Sequence, residues 1–181
     1  MVRSALALVL YLALGLGANA QDWDALLTGE MRGLVVHDEP VAASDLPFER
    51  VDGTEGALAD FGGQMIVLNF WATWCAPCRE EMPSLQNLQE AMGGDDFAVV
   101  TLATGFNQPQ AIQRFFDETG VTDLTQYRDI NQQIAREMGV FGLPITVILN
   151  EEGAEVARLR GDAHWDSPEA LAVIETLLAG G

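Results

Sequence analysis

Two patterns of apolar residues alternate along most of this chain. Short unbroken apolar runs, rich in branched side chains, are followed by stretches in which apolar residues recur every three or four positions. The first kind suits strands buried on both faces, the second amphipathic helices. The runs "MIVLNF" (Met65 to Phe70), "FAVVTLAT" (Phe97 to Thr104) and "ITVIL" (Ile145 to Leu149) are predicted strands. Glu152-Gly153 turns the last of these into a further strand, Glu155 to Arg160, and shorter strands are expected at Phe48 to Val51 and at "LTQY". After Cys78 the period becomes 3.6, with Met82, Leu85 and Leu88 on one face and Arg79, Gln86 and Gln89 elsewhere. Pro83 predicts a kink in that helix and Gly93-Gly94 its end. Pro109 to Gly120 reads as a second helix, and Asp129 as the cap of a third, Ile130 to Met138, stopped by Gly139. Ser167-Pro168 opens a last helix that places Leu171, Ile174 and Leu178 on one face. Asp22 to Glu30 reads as a helical turn, and "MRGLVVHDEP" as an edge strand or an extended arm ending at Pro40. Strands alternating with helices, closed by a hairpin and a helix, define an α/β sandwich with a mixed sheet.

The first 20 residues depart from this pattern. Arg3 precedes the uncharged apolar run Ala5 to Ala18, and Ala18-Asn19-Ala20 offers a small-x-small cleavage site. This is the plan of a secretory signal peptide, with an uncleaved membrane anchor as the alternative; the run is short for a span of about 20 residues. Either reading places the rest of the chain outside the cytoplasm, where disulfides persist. The 181 residues suit one domain, large enough to bury a core without covalent staples.

Charge narrows the choice of partner. The formal net charge is −18, there is no lysine, and loss of the leader removes one Arg and no acid, leaving 8 − 27 = −19. Such a surface repels phosphate backbones and anionic lipid, which argues against nucleic-acid binding.

Both cysteines lie in "NFWATWCAPCREEMPSL" (Asn69 to Leu85). A ring closed between Cys75 and Cys78 removes little chain entropy, so a stapling role gains little. A closed zinc site wants four ligands, and His37 and His164 are not at zinc-motif spacing; they read as surface or structural residues. A pair of soft thiolates could still hold copper(I), so a copper-handling module remains an alternative. Redox chemistry fits the position better. Cys75 falls at a helix N-terminus, whose free N–H groups and dipole favour a thiolate nucleophile. Cys78, one turn deeper, would resolve the mixed disulfide, and Pro77 stiffens the first turn. A peroxidase of the peroxiredoxin type would carry Thr three residues before its reactive cysteine; here that residue is Ala72, with Thr73 only two before.

The segment "FWATWCAPC" resembles the active site of thioredoxin-like proteins, and "NFWATWCAPCREEMPSLQ" is similar to the thiol:disulfide oxidoreductases of the TlpA and ResA group. "GVFGLPITVILN" resembles the same family's Gly-x-Pro segment before a strand. The resemblance implies a thioredoxin fold over 46–181, a three-layer sandwich with a mixed central sheet, an inserted helical segment and an N-terminal extension over 21–45. It further implies a cis bond before Pro144, facing Cys75. Leu143 would offer backbone groups to an extended substrate strand, and Trp74 an apolar shoulder beside Cys75, while Trp71 reads as core. Ala76 and Pro77 would contact substrate and help set the reduction potential.

Thioredoxin carries a buried Asp where this chain has Asn69, a residue that cannot take a proton. In the ResA-like group a glutamate after the second cysteine is thought to serve instead, and Glu81 matches it. Helix geometry supports that assignment: Glu81 follows Cys78 by three residues and shares a face with Met82 and Leu85, whereas Glu80 points to water. The resemblance implies a periplasmic reductase of protein disulfides, such as the cysteine pairs of apocytochrome c or of oxidase copper sites. Electrons would come from a membrane thiol donor, with no bound cofactor and no metal. Membrane association would follow only from an uncleaved leader, and an oxidase or isomerase working in the opposite direction is the alternative.

Overall fold

A computed structural model describes residues 22–180; the expected leader at 1–20 lies outside the described residues. Eight strands form one mixed sheet: β1 (Val35–Ala42), β2 (Phe48–Glu49), β3 (Glu55–Gly56), β4 (Met65–Trp71), β5 (Phe97–Thr104), β6 (Gln126–Asp129), β7 (Ile145–Leu149) and β8 (Ala154–Arg160). Their order is β1-β8-β7-β4-β5-β6-β2-β3. Strand β4 pairs parallel with β5 and antiparallel with β7, so the end of β4 and the start of β7 emerge side by side.

Helices α1 (Trp23–Leu26), α2 (Ala76–Met92), α3 (Pro109–Thr119), α4 (Gln133–Glu137) and α5 (Pro168–Leu178) cover the two faces. The alternation of β4 sorts its side chains between two cores. Met65, Val67 and Trp71 join Met82, Leu85 and Leu88 of α2, Ile112, Phe115 and Phe116 of α3, and Val173 and Ile174 of α5. Ile66, Leu68 and Phe70 face the other way, onto Leu58 and onto Ile134 and Ala135 of α4. The result is the three-layer sandwich expected, with β4 buried along its whole length. Among the described residues no helix is long and apolar enough to cross a membrane.

The segment before residue 46 contributes a strand to this sheet. Val35 pairs with Arg158 and Val36 with Ala157. His37 Nε2 lies 2.7 Å from Glu155 Oε1, and Arg158 Nη2 donates to Glu155 Oε2 at 2.6 Å. Glu155 is itself buried; burial alone would raise its pKa, but its bonds with Arg158 and His37 outweigh this and hold it below the usual carboxylate range. His37 is thus a structural residue that ties β1 to β8. The outer edge of β1 carries Asp38, Glu39 and Pro40, which discourage further strand pairing.

Four details depart from the sequence expectation. Gln86, expected off the apolar face of α2, is nevertheless buried: its Oε1 accepts from the N–H groups of Thr122 (3.2 Å) and Asp123 (3.0 Å), pinning that loop against α2. The buried stripe of α5 is Ala170, Val173 and Ile174, while Leu178 in its last turn is exposed. The expected strand at "LTQY" begins two residues later, at Gln126, because Leu124 is used as a core plug. The helix after Asp129 begins at Gln133, not Ile130, because Gln132 takes a left-handed conformation (φ 56°) that interrupts the chain first.

Asp129 nevertheless caps that helix. Its carboxylate accepts from Gln133 N–H (2.8 Å), Ala135 N–H (2.9 Å) and the Thr104 hydroxyl (3.2 Å) while 3% exposed. Asp129→Ala leaves these donors unpaired and should lower the unfolding free energy by roughly 2 kcal/mol. A urea titration should show a lower midpoint at unchanged slope.

Candidate active site

The site forms where β4 ends and β7 begins. Leaving β4, the chain passes Ala72 and Thr73 and reaches Cys75, the N-cap of α2. Asn107 fixes this connection: its buried Oδ1 accepts from Thr73 N–H (2.8 Å) and from the Thr73 hydroxyl (2.9 Å). Its Nδ2 donates to the Thr104 carbonyl at 3.0 Å, so the clamp is anchored on β5. Sequence reasoning passed over Asn107. An Asn between the end of a predicted strand and the Pro109 helix start is the one signal it offered.

Cys75 and Cys78 are joined by a disulfide with Cα atoms 5.3 Å apart. Cys75 Sγ accepts from the Cys78 N–H at 3.3 Å, so the sulfur sits where the first free N–H groups of α2 converge. Cys75 is 6% exposed and Cys78 0%, so Cys75 is the only residue of the pair with any solvent-accessible surface. Ala76 and Pro77 form the first turn, with Ala76 exposed and Pro77 half-buried. Pro77 has no N–H to leave unpaired there. Trp74, 65% exposed, stands beside Cys75, while Trp71 is buried and stacks on Phe116 with centroids 5.7 Å apart.

Pro144 lies at the start of β7, with the Leu143-Pro144 bond cis and the proline buried. Phe70 pairs with Ile145, which puts the connection to Cys75 and the proline at the same end of neighbouring strands. Among the described residues neither the N–H nor the C=O of Leu143 has a backbone partner, while the Pro144 carbonyl accepts from Gly161 N–H at 3.0 Å. A cleft of about 530 Å³ opens here, lined by Phe141, Leu143, Pro144, Arg158 and Arg160 among others.

Behind the disulfide lies Glu81, one helical turn after Cys78 and 2% exposed; Glu80 is exposed, as the helix geometry requires. Asn69 Nδ2 donates to Glu81 Oε1 at 2.8 Å. Trp165 Nε1–H and Ala163 N–H each donate to Oε2 at 3.3 Å. Burial pushes the carboxyl up to about 7, against these three bonds, which favour the anion. Asn69 Nδ2 also reaches Thr146 Oγ1 at 2.9 Å, whereas its buried Oδ1 has no partner among the described residues. The position where thioredoxin keeps an acid here holds an amide that donates to the acid of α2.

The structure thus brings Trp74, Cys75, Ala76, Pro77 and Cys78 into one turn, Glu81 beneath it, and Leu143 and Pro144 beside it. Among the described residues no group of three or more His, Cys, Asp or Glu side chains is arranged to hold a metal ion. The site thus holds a disulfide at a helix N-terminus, backed by a carboxyl that burial pushes up to about 7.

The model of the redoxin family matches residues 39–174. The thioredoxin-like protein YneN of Bacillus subtilis is 37% identical over 113 residues, 61% of this chain and 65% of that one, so the match spans just under two-thirds of its length. The thiol-disulfide oxidoreductase ResA of the same organism is 28% identical over 160 residues, 88% of this chain and 84% of that one. Among solved structures, a DsbF homologue from Corynebacterium diphtheriae superposes with a TM-score of 0.65 at 26% identity, covering 80% of this chain and 92% of the other.

Fold and site together are those of the thioredoxin-like class. Within it, the chain belongs to the redoxin family.

Proposed function

We propose that the protein reduces disulfides in protein substrates by dithiol–disulfide exchange, on the outer side of the cytoplasmic membrane. The observation that carries this reading is the burial of Glu81 directly behind a disulfide whose leading sulfur caps a helix. In the reduced protein the Cys75 thiolate attacks one sulfur of the substrate disulfide. That bond breaks, a substrate thiolate leaves, and a mixed disulfide joins Cys75 to the substrate. Glu81 as carboxylate then takes the Cys78 proton, directly or through one water. Cys78 Sγ attacks Cys75 Sγ, the mixed disulfide breaks, and the second substrate thiolate leaves. Two electrons have passed to the substrate, whose sulfurs take up two protons, and the Cys75–Cys78 disulfide is restored. A dithiol donor returns the protein to its reduced state by the same steps in reverse.

The direction is supported by an electrostatic argument. Strong oxidants of this class owe their potential to a stabilised thiolate in the reduced form. A buried carboxylate behind Cys78 opposes ionisation of that sulfur, which favours the disulfide side of the couple and offsets the pull of the helix N-terminus on Cys75. The apolar run after Arg3 supports export to the periplasm, and the likeness to ResA supports protein disulfides as the substrate class. The cysteine pairs of apocytochrome c or of oxidase copper sites are the substrates proposed, with a membrane thiol carrier as donor.

Equilibration of the pair against dithiothreitol or glutathione tests the direction. A potential near about −270 mV is expected; a value near about −120 mV would reverse the assignment to an oxidant.

A further inference from the structure

The protein has 27 acidic and nine basic side chains, yet its exposed features are not evenly mixed. Among the described residues the three exposed Trp, Tyr or Phe side chains, Trp74, Phe106 and Phe141, all lie at the end of the sheet that carries the disulfide. They follow β4, follow β5 and precede β7 in turn. At the opposite end, a broad groove of about 1050 Å³ is lined by Asp38, Asp95, Asp96, Glu151 and Glu152.

The cleft beside the cis proline differs in charge from that groove. Its charged lining residues are Arg158 and Arg160, with no carboxylate among them. Arg158 is neutralised by Glu155. Arg160 is exposed, ends β8 opposite Ile145, and makes no ion pair among the described residues. Arg79 and Arg114 line a second cleft, beside Trp74, with Glu118 as the one acidic residue of its lining. Asp162 lies two residues beyond Arg160 but does not line the first cleft. At about 0.15 M salt, charges further than about 8 Å are largely screened. An approaching segment therefore reads the charges close to the cleft, Arg160 on its lining and Asp162 beside it, rather than the net charge of the molecule.

We propose that Arg160 selects substrate segments that carry a carboxylate side chain next to the target disulfide. An extended peptide would pair with the unpartnered backbone groups of Leu143, lay an apolar side chain on Phe141, and place its acidic side chain against the guanidinium. Extended pairing of this kind puts alternate side chains on the same face, which is how a strand partner gains sequence preference. The inference rests on the exchange activity proposed above.

Two disulfide-bridged peptides, identical except for Asp or Lys beside one cysteine, would be mixed with the reduced full-length protein at about 0.15 M salt. Single-turnover rates are read by acid quench and chromatography. The wild-type protein should reduce the Asp peptide roughly five times faster than the Lys peptide, the scale of a local charge effect on association. Arg160→Glu should invert that ratio, and Arg160→Ser should bring it close to one. Comparing ratios between proteins cancels any difference in the peptides' own potentials. Equal ratios in all three proteins, or a wild-type preference for Lys, would overturn the proposal while leaving the exchange activity standing. Reduction of neither peptide would overturn both.

Discussion

The Cys78→Ser protein should stop after a single attack, holding its substrate as a mixed disulfide through Cys75. The reason is geometric. Cys75 is the only residue of the pair with any solvent-accessible surface, and Cys78, whose sulfur would release it, lies fully buried one turn behind. Without Cys78 the mixed disulfide has no internal thiol to resolve it, so release depends on an outside thiol. Multiple turnover with a protein disulfide should fall by at least about 10³-fold, consistent with loss of a group that forms the covalent intermediate's exit. Trapped adducts should run as higher-mass bands on non-reducing gels and vanish on reduction. Cys75→Ser should form no such adducts, because the remaining sulfur cannot be reached. Adducts on Cys75→Ser but not on Cys78→Ser would exchange the two roles.

The parts of this site that lie close together in sequence were legible before the fold was known. An apolar run, a helix-opening Cys-x-x-Cys and a glutamate three residues on fix the disulfide and place Glu81 on the inner face by period alone. The partners of Glu81 were not legible. Ala163 and Trp165 come from a segment about eighty residues away, and nothing local in "GDAHWD" marks it as the lid over a buried carboxyl. Asn69 was visible as a departure from thioredoxin, but its bond to Glu81 appears only once β4 and α2 are packed. The central strands were legible because their runs are long and uniformly apolar. The edge of the sheet was less so: β1 is held by its pairing with β8 and by the bond between His37 and Glu155, and its own residues are mostly exposed. The offset at α4 has the same origin, since a left-handed Gln132 is decided by what Asp129 reaches rather than by a helix signal in the sequence.

Glu81→Gln should separate the two consequences of burying an acid behind the disulfide. In the oxidised protein the carboxyl titrates at about 7, against an ordinary value of 4.5. Between those values the folded chain holds a proton that the unfolded chain has released. The stability due to this group is therefore fully present below pH 4.5 and is lost as pH rises through 7. A rise from 4.5 to about 7 corresponds to about 3 kcal/mol. Glu155 titrates the other way: its folded pKa is depressed, so its contribution is present above its unfolded value and lost as pH falls below that value. The two effects occupy different pH windows and can be read apart. Denaturant titrations of the oxidised wild type should show stability falling from pH 5 to pH 8, and Glu81→Gln should flatten that decline. Gln keeps the shape and can be accommodated, because the unpartnered Oδ1 of Asn69 can accept from the new amide once Asn69 turns over. The same substitution removes the proton acceptor for Cys78, so release of the mixed disulfide should slow by roughly 10²-fold and lose its inflection near pH 7. A variant that is more stable at pH 8 yet releases substrate at the wild-type rate would leave Glu81 a structural acid, with the Cys78 proton passing directly to solvent. A slower variant whose stability still declines with pH would place the titrating group elsewhere.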